Sequence, residues 1–192
     1  MVEIIRKNLL ESINLKTNIL NDSDVIDKML LISEKIIECY KNGNKVYFCG
    51  NGGSFADAQH LSAELSGRFY FDRQPLEVVL LSSNISYLTA VSNDYSYEDI
   101  FSREIKSSVK SGDVLITLST SGKSKNIIKA IKEAKNMGIE VFSLLGNDGG
   151  YIKEISNISI IIESSNTARI QECHTFLGHT IIEIVENKMF KN

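Results

Sequence analysis

Proline is almost absent from this 192-residue chain: Pro75 is the single one. It lies in a polar connection, which is too little to mark a domain boundary. Cysteine is scarce as well. Cys39, Cys49 and Cys173 form no CxxC pair, and an odd count of 3 excludes a complete disulfide framework. A reducing cytosol suits such a chain. No long hydrophobic run is present, and Met1 to Lys7 mixes charged with apolar residues, which excludes a signal-peptide core and a membrane span there. A cytoplasmic location is therefore expected. Charge of one sign is also lacking, since 21 basic residues face 24 acidic ones for a net −3. Without a run of like charges there is no nucleic-acid arm and no membrane patch, so neither partner is expected. Internal repeats, low-complexity segments and linkers are missing too. A chain of this length builds one sizeable core, and a single domain over 1-192 is expected, with N-terminal helices over 1-42 and an α/β core with a C-terminal helix over 43-192.

What is present begins with helical spacing. Ile5, Leu9 and Ile13, then Val25, Met29, Ile32, Ile36 and Ile37 after Asn21-Asp22-Ser23, predict two helices. Asn42-Gly43-Asn44 stops the second. Five short β-rich runs follow, at Lys45 to Cys49, Glu77 to Leu81, Asp113 to Leu118, Ile139 to Leu145 and Ile158 to Ile162, and they read as buried parallel strands. Helical stretches lie between them, most clearly Ser124 to Met137, and a last one runs from about Thr167 to Met189. Strands alternating with helices predict an α/β sheet covered on both faces. In such sheets the ligand site lies beyond the carboxyl ends of the strands.

Two loops fall there. The first, Gly50-Asn51-Gly52-Gly53-Ser54-Phe55, lets the backbone approach a ligand closely and leads into a helix whose first N–H groups suit an anion. It carries Phe55 where a dinucleotide fingerprint needs its third glycine. The second, Ser119-Thr120-Ser121-Gly122-Lys123-Ser124, has Thr117 where a Walker A loop needs its first glycine. Both nucleotide readings are excluded. Hydroxyls at a helix start make a phosphate cradle, or alternatively a hydroxyl-rich turn with one serine as cap. For the first loop, Ser54 and Asp57 form a possible capping pair, a role compatible with ligand binding.

On the helix after the glycine loop, His60 and Glu64 lie about 40° apart, and Arg68 continues the row. The simplest reading is a Glu64–Arg68 ion pair on the helix face, or His60 filling a half-buried position. On the last helix, Gln171 and His179 lie about 80° apart, whereas His174 falls about 140° from His179. If the two helices face each other, His60, Glu64, Gln171 and His179 offer two imidazoles, a carboxylate and an amide oxygen, a set for zinc or for acid-base work.

The combination of CGNGGSFADAQHLSAEL, Asn93-Asp94, LSTSGKS and ARIQECHTFLGH resembles the phosphoheptose isomerase family of the sugar isomerase (SIS) domain superfamily, over nearly the whole chain. The resemblance implies a three-layer αβα sandwich with a five-stranded parallel sheet (the SIS fold) and a homotetramer with active sites built between subunits. It also implies isomerisation of sedoheptulose 7-phosphate to D-glycero-D-manno-heptose 7-phosphate, the first step toward nucleotide-activated heptose. By position, Asn51, Gly52 and Gly53 match the substrate loop, Asn93 and Asp94 a second sugar-contacting pair, and Ser119, Thr120, Ser121 and Ser124 the phosphate site. Ser54, Arg68 and Arg169 complete the candidate substrate contacts. His60, Glu64, Gln171 and His179 match the ligands of one zinc ion per subunit. Glu64 and Gln171 also match substrate contacts, and Glu64 and His179 match the acid-base pair. Two other functions share the fold: a non-catalytic tetramer that binds the replication initiator, and an isomerase of another phosphosugar such as a hexulose phosphate.

Overall fold

The computed structural model describes residues 1–191. Two helices open the chain, α1 (Val2–Asn21) and α2 (Ser23–Lys41). They part at Asp22, whose backbone is extended and whose carboxylate accepts from the N–H groups of Asp24 and Val25. A helix start leaves such donors unpaired, so this aspartate both ends α1 and caps α2. The alternation that follows is β1 (Val46–Gly50), α3 (Gly53–Ser66), β2 (Val78–Leu80), α4 (Ile85–Asp94), α5 (Ile100–Ser108), β3 (Val114–Ser119), α6 (Lys125–Asn136), β4 (Glu140–Gly146), α7 (Ile152–Ile155), β5 (Ile158–Ile162) and α8 (Thr167–Phe190). A 3-10 turn at Tyr97–Asp99 joins α4 to α5.

The five strands form one parallel sheet in the order β2-β1-β3-β4-β5. Side chains alternate across it. Val46 and Phe48 of β1 enter a core with Ile32 and Ile36 of α2, Leu61 and Leu65 of α3, and Leu177 and Ile181 of α8. Tyr47 and Cys49 face a second core with Val91, Phe101, Ile131 and Ile152 from α4 to α7. The result is the expected three-layer αβα sandwich. No helix among the described residues is long and apolar enough to cross a membrane.

Strand boundaries fall within one or two residues of those predicted. The stretch between β2 and β3, helical by the expected alternation but without marked bounds, folds into α4, the turn and α5. These helices have 10 and 9 residues, which gives few turns over which a period can declare itself. Because β2 and β3 lie on opposite sides of β1, the chain reverses its winding direction there. The carboxyl ends of β1 and β3 therefore flank a topological switch point, and the glycine and serine loops leave the sheet at those two ends.

Candidate active site

Helices α3 and α8 meet closely because Gly178 has no side chain: a Cβ there would run into the Leu61 side chain. The neighbouring residues are His60 and His179. Their Nε2 atoms lie 2.8 Å apart, with ring centroids at 5.0 Å and an edge-to-face angle of 72°. One ring donates and the other accepts. Glu64, one turn beyond His60, brings Oε1 to 3.6 Å of His60 Nε2. A ligand atom from each of His60, Glu64 and His179 lies within 4.8 Å of the others. The His60 side chain is 50% exposed, so the cluster opens to solvent. Burial lowers the His179 pKa, the nearby His60 ring adds to the effect, and the Glu64 carboxylate opposes it. A half-buried neutral imidazole thus stands beside a carboxylate.

Gln171, two turns before His179, reaches the glycine loop. A Cβ on Gly53 would overlap its amide, so this glycine is required by close approach rather than by backbone angle. Gly52 differs, with φ +55 and ψ −121 at the cap position of α3. Asn51 turns toward α6 and is held in a two-way amide pair. Its Nδ2 donates to Asn126 Oδ1 at 2.9 Å, and its Oδ1 accepts from Asn126 Nδ2 at 2.8 Å and from the Tyr97 hydroxyl at 2.8 Å. One N–H of the Asn51 amide has no partner in that arrangement.

The serine loop is ordered from within. Ser119 Oγ accepts from the Gly122 N–H at 3.1 Å and lies 3.5 Å from Ser124 Oγ, and Ser121 Oγ accepts from the Lys123 N–H at 3.2 Å. Thr120 is tied by its carbonyl, which accepts from Asn147 Nδ2 at 2.8 Å. Ser124 occupies the cap position of α6, yet its side chain makes no capping bond. That leaves the hydroxyl and the start of α6 available to an anion.

Several expected partnerships are replaced. Helix α3 ends at Ser66 with Gly67 as its cap, so Arg68 does not continue the His60–Glu64 row. It forms no ion pair with Glu64 among the described residues, and the simple salt-bridge reading is set aside. Ser54 is buried in the first turn of α3. Asp57 does not pair with it: its Oδ1 accepts from Thr175 Oγ1 at 3.1 Å across to α8. Arg169 turns away toward α1, donating to the Asn8 carbonyl at 3.3 Å and pairing with Glu172 at 2.8 Å. Asn93 and Asp94 end α4, exposed and bonded to each other at 2.9 Å. No hydrogen bond joins them to the His60 cluster among the described residues. His174 is fully buried, its Nε2–H bonded to the Leu145 carbonyl at 3.0 Å, and burial pushes its pKa down to about 4. It is a core histidine, as its angle from His179 implies.

Four participants carry no motif. Asn126 and Tyr97 orient Asn51. Behind α3, the fully buried Arg73–Glu186 pair, 2.8 Å between Nε and Oε1, holds the irregular segment that follows the helix. A lone Arg with no hydrophobic period beside it gives no signal in sequence, since its partner lies 113 residues away.

A parallel sheet with loops at its switch point, one rich in serine and one in glycine, defines a class that comparison supplies: residues 13–146 match the SIS domain family. Within that class the similarity is closer still. A phosphoheptose isomerase of Clostridium acetobutylicum is 44% identical over 190 residues, covering 99% of this chain and 97% of that protein. One from Aneurinibacillus thermoaerophilus is 43% identical, covering 100% and 97%. The solved phosphoheptose isomerase of Francisella tularensis superposes with a TM-score of 0.92 at 31% identity, covering 97% of this chain and 98% of that one. The chain belongs to the phosphoheptose isomerase family, and it is an enzyme.

Proposed function

We propose that the chain converts sedoheptulose 7-phosphate to D-glycero-D-manno-heptose 7-phosphate, the entry step of activated-heptose synthesis. The observation that carries this reading is the meeting of His60, Glu64 and His179 between α3 and α8, in a member of this family. The conversion moves one hydrogen from C1 to C2 and the carbonyl from C2 to C1. Glu64 takes the C1 proton while the His179 Nε2–H protonates O2, which leaves an ene-diol. His179 then takes the O1 proton back, and Glu64 returns its own to C2. Every proton is accounted for by two groups, and the order of the two steps reverses for the back reaction. Burial lowers the His179 pKa and so favours the neutral imidazole that gives and takes the proton.

Binding energy comes from groups remote from the reacting carbons. Ser119, Thr120, Ser121 and Ser124 hold the phosphate, while Asn51, Gly52, Gly53, Ser54 and Gln171 hold the sugar. Asn93, Asp94, Arg68 and Arg169 belong to the same proposal as further contacts, and the first three are exposed on this protomer. A homotetramer that builds its sites between subunits would bring such residues into use. The exposed apolar side chains of α1 and α2, among them Ile5, Leu9, Ile13, Leu30 and Leu31, support association.

Zinc fits the donor chemistry of the cluster, because two imidazoles and a carboxylate converge on one point. His60, Glu64, Gln171 and His179 would hold it, and when bound it would polarise substrate oxygens as a Lewis acid; Glu64 and His179 would have to leave the ion to move protons as described. The enzyme is assigned to the cytoplasm, where its buried thiols remain reduced.

The test is to follow sedoheptulose 7-phosphate by NMR with the protein as purified, after chelation, and after zinc is restored. Appearance of the aldoheptose phosphate supports the reading. Its absence under all three conditions would sink the isomerase assignment and favour a binding role.

A further inference from the structure

We propose that the buried Arg73–Glu186 pair is a positioning device that holds Glu64 and His179 in mutual register. The catalytic side of this inference rests on the isomerase reading above. Arg73 and Glu186 are each 1% exposed in their side chains, and neither touches a candidate ligand or proton site. Arg73 meets Glu64 only at its main-chain carbonyl, and Glu186 reaches His179 through Phe69.

The first link is the end of α3. A helix end leaves its last carbonyls without partners. Arg73 Nη2 donates to the Glu64 carbonyl at 2.8 Å, and Nη1 donates to the carbonyls of Leu65 at 3.0 Å and Gly67 at 3.2 Å. The peptide that bears the Glu64 side chain is therefore fixed from behind by a guanidinium. The second link is Phe69. Glu186 accepts from the Phe69 N–H at 3.0 Å through Oε1 and from the Tyr70 N–H at 2.9 Å through Oε2. The Phe69 ring so placed stacks on His179, with centroids 5.4 Å apart and planes 29° from parallel. Glu186 also stands seven residues after His179 on α8, two turns along the same face. One ion pair thus fastens the segment after α3 to α8, and the two proton handlers sit on those two helices.

Stability alone does not call for this arrangement. A buried ion pair is often matched or exceeded in stability by apolar side chains of similar volume. What apolar side chains cannot supply is the set of directed hydrogen bonds to the carbonyls of Glu64, Leu65 and Gly67 and to the N–H groups of Phe69 and Tyr70. A displacement of about 1 Å at a catalytic group costs on the order of a hundredfold in rate.

The experiment uses the full chain with the double variant Arg73→Met/Glu186→Leu, which leaves neither charge unpaired, and Phe69→Leu, which leaves the pair intact. Each is read by thermal melting, by kcat and KM for sedoheptulose 7-phosphate, and by the NMR shift of the His179 ring protons, assigned with His179→Gln. We expect the double variant to melt cooperatively, with kcat lowered at least about tenfold, KM within about twofold, and the ring-current shift of His179 lost. Wild-type kcat and an unchanged His179 shift in a folded double variant would overturn the proposal. Should that variant fail to fold, Phe69→Leu decides by turnover, since its own ring is gone: the proposal requires a fall in kcat with KM within about twofold, and wild-type kcat overturns it. The ring-proton shift needs no substrate. If the wild type converts none, the isomerase reading fails while the clamp itself is still judged by that shift.

Discussion

Gly53→Ala should separate stability from activity, and the structure indicates by how much. Gly53 opens α3 with no positive φ, so alanine finds an acceptable backbone there and gains up to about 1 kcal/mol in helix propensity. Its Cβ, however, would fall 2.8 Å from Gln171 Cδ and 3.0 Å from Oε1. Because those atoms end a flexible side chain, the collision is relieved by swinging the amide out, at about 0.5–1.5 kcal/mol for a strained rotamer. The two effects roughly cancel, and the unfolding free energy should change by less than about 1 kcal/mol. Activity should not be spared. Moving Gln171 by more than an ångström at the sugar-binding loop should lower kcat/KM about a hundredfold, which is about 2.7 kcal/mol of transition-state binding. Gly52→Ala should behave in the opposite way, since nothing lies within 4 Å of its Cβ but φ is +55; it should lose stability through backbone strain. The assays are urea denaturation and initial rates on sedoheptulose 7-phosphate for Gly53→Ala, Gln171→Ala and the double variant. If the effect runs through Gln171, the double variant is no slower than Gln171→Ala alone. Fully multiplicative losses, or an unimpaired Gly53→Ala enzyme, would refute the reasoning.

Glu64→Gln should reduce kcat by about a thousandfold or more, the scale of a lost proton handler, while phosphosugar binding stays measurable by calorimetry; unchanged turnover would remove Glu64 as base. Ser119→Ala with Ser121→Ala should chiefly raise KM, by about tenfold or more for hydrogen bonds to a charged group, and unaltered saturation would count against the phosphate assignment. His174 titrates at about 4 in the folded chain against a usual 6.5, so the unfolded chain binds the proton first. Its stabilisation is complete above pH 6.5 and falls by about 3 kcal/mol as the pH is lowered to 4. His174→Gln should flatten that slope in denaturation curves between pH 7 and 4, and equal slopes would contradict the assignment.

Much of the fold can be read from local pattern because its strands and longer helices carry their own periods. β5 runs over Ile158–Ile162 as its apolar run predicts, and α8 begins at Thr167. The break between α1 and α2 is legible in Asp22, a residue type that caps helices. Arg68 shows the limit of the same logic: a helical projection carries the row past Gly67, whereas the chain stops the helix there. Asp57 shows another limit, since a plausible local capping partner was available and a tertiary one, Thr175, was taken. Which side chains share a stripe was legible for His60 with Glu64 and for Gln171 with His179. That the two stripes meet was not, because the approach depends on Gly178 admitting Leu61, a fact of packing between helices more than a hundred residues apart in sequence.

The Asn51–Asn126 amide pair has a consequence for anyone who would alter the substrate. It makes the turn after β1 and the start of α6 one part, so neither behaves as an exchangeable module. An exchange that carried the serine loop and the first turn of α6 together would remove the Asn126 amide that aims Asn51. A new glycine loop would likewise leave Asn126 facing nothing. Redesign of chain-length preference has to move both segments together, with Tyr97 carried along as the third member.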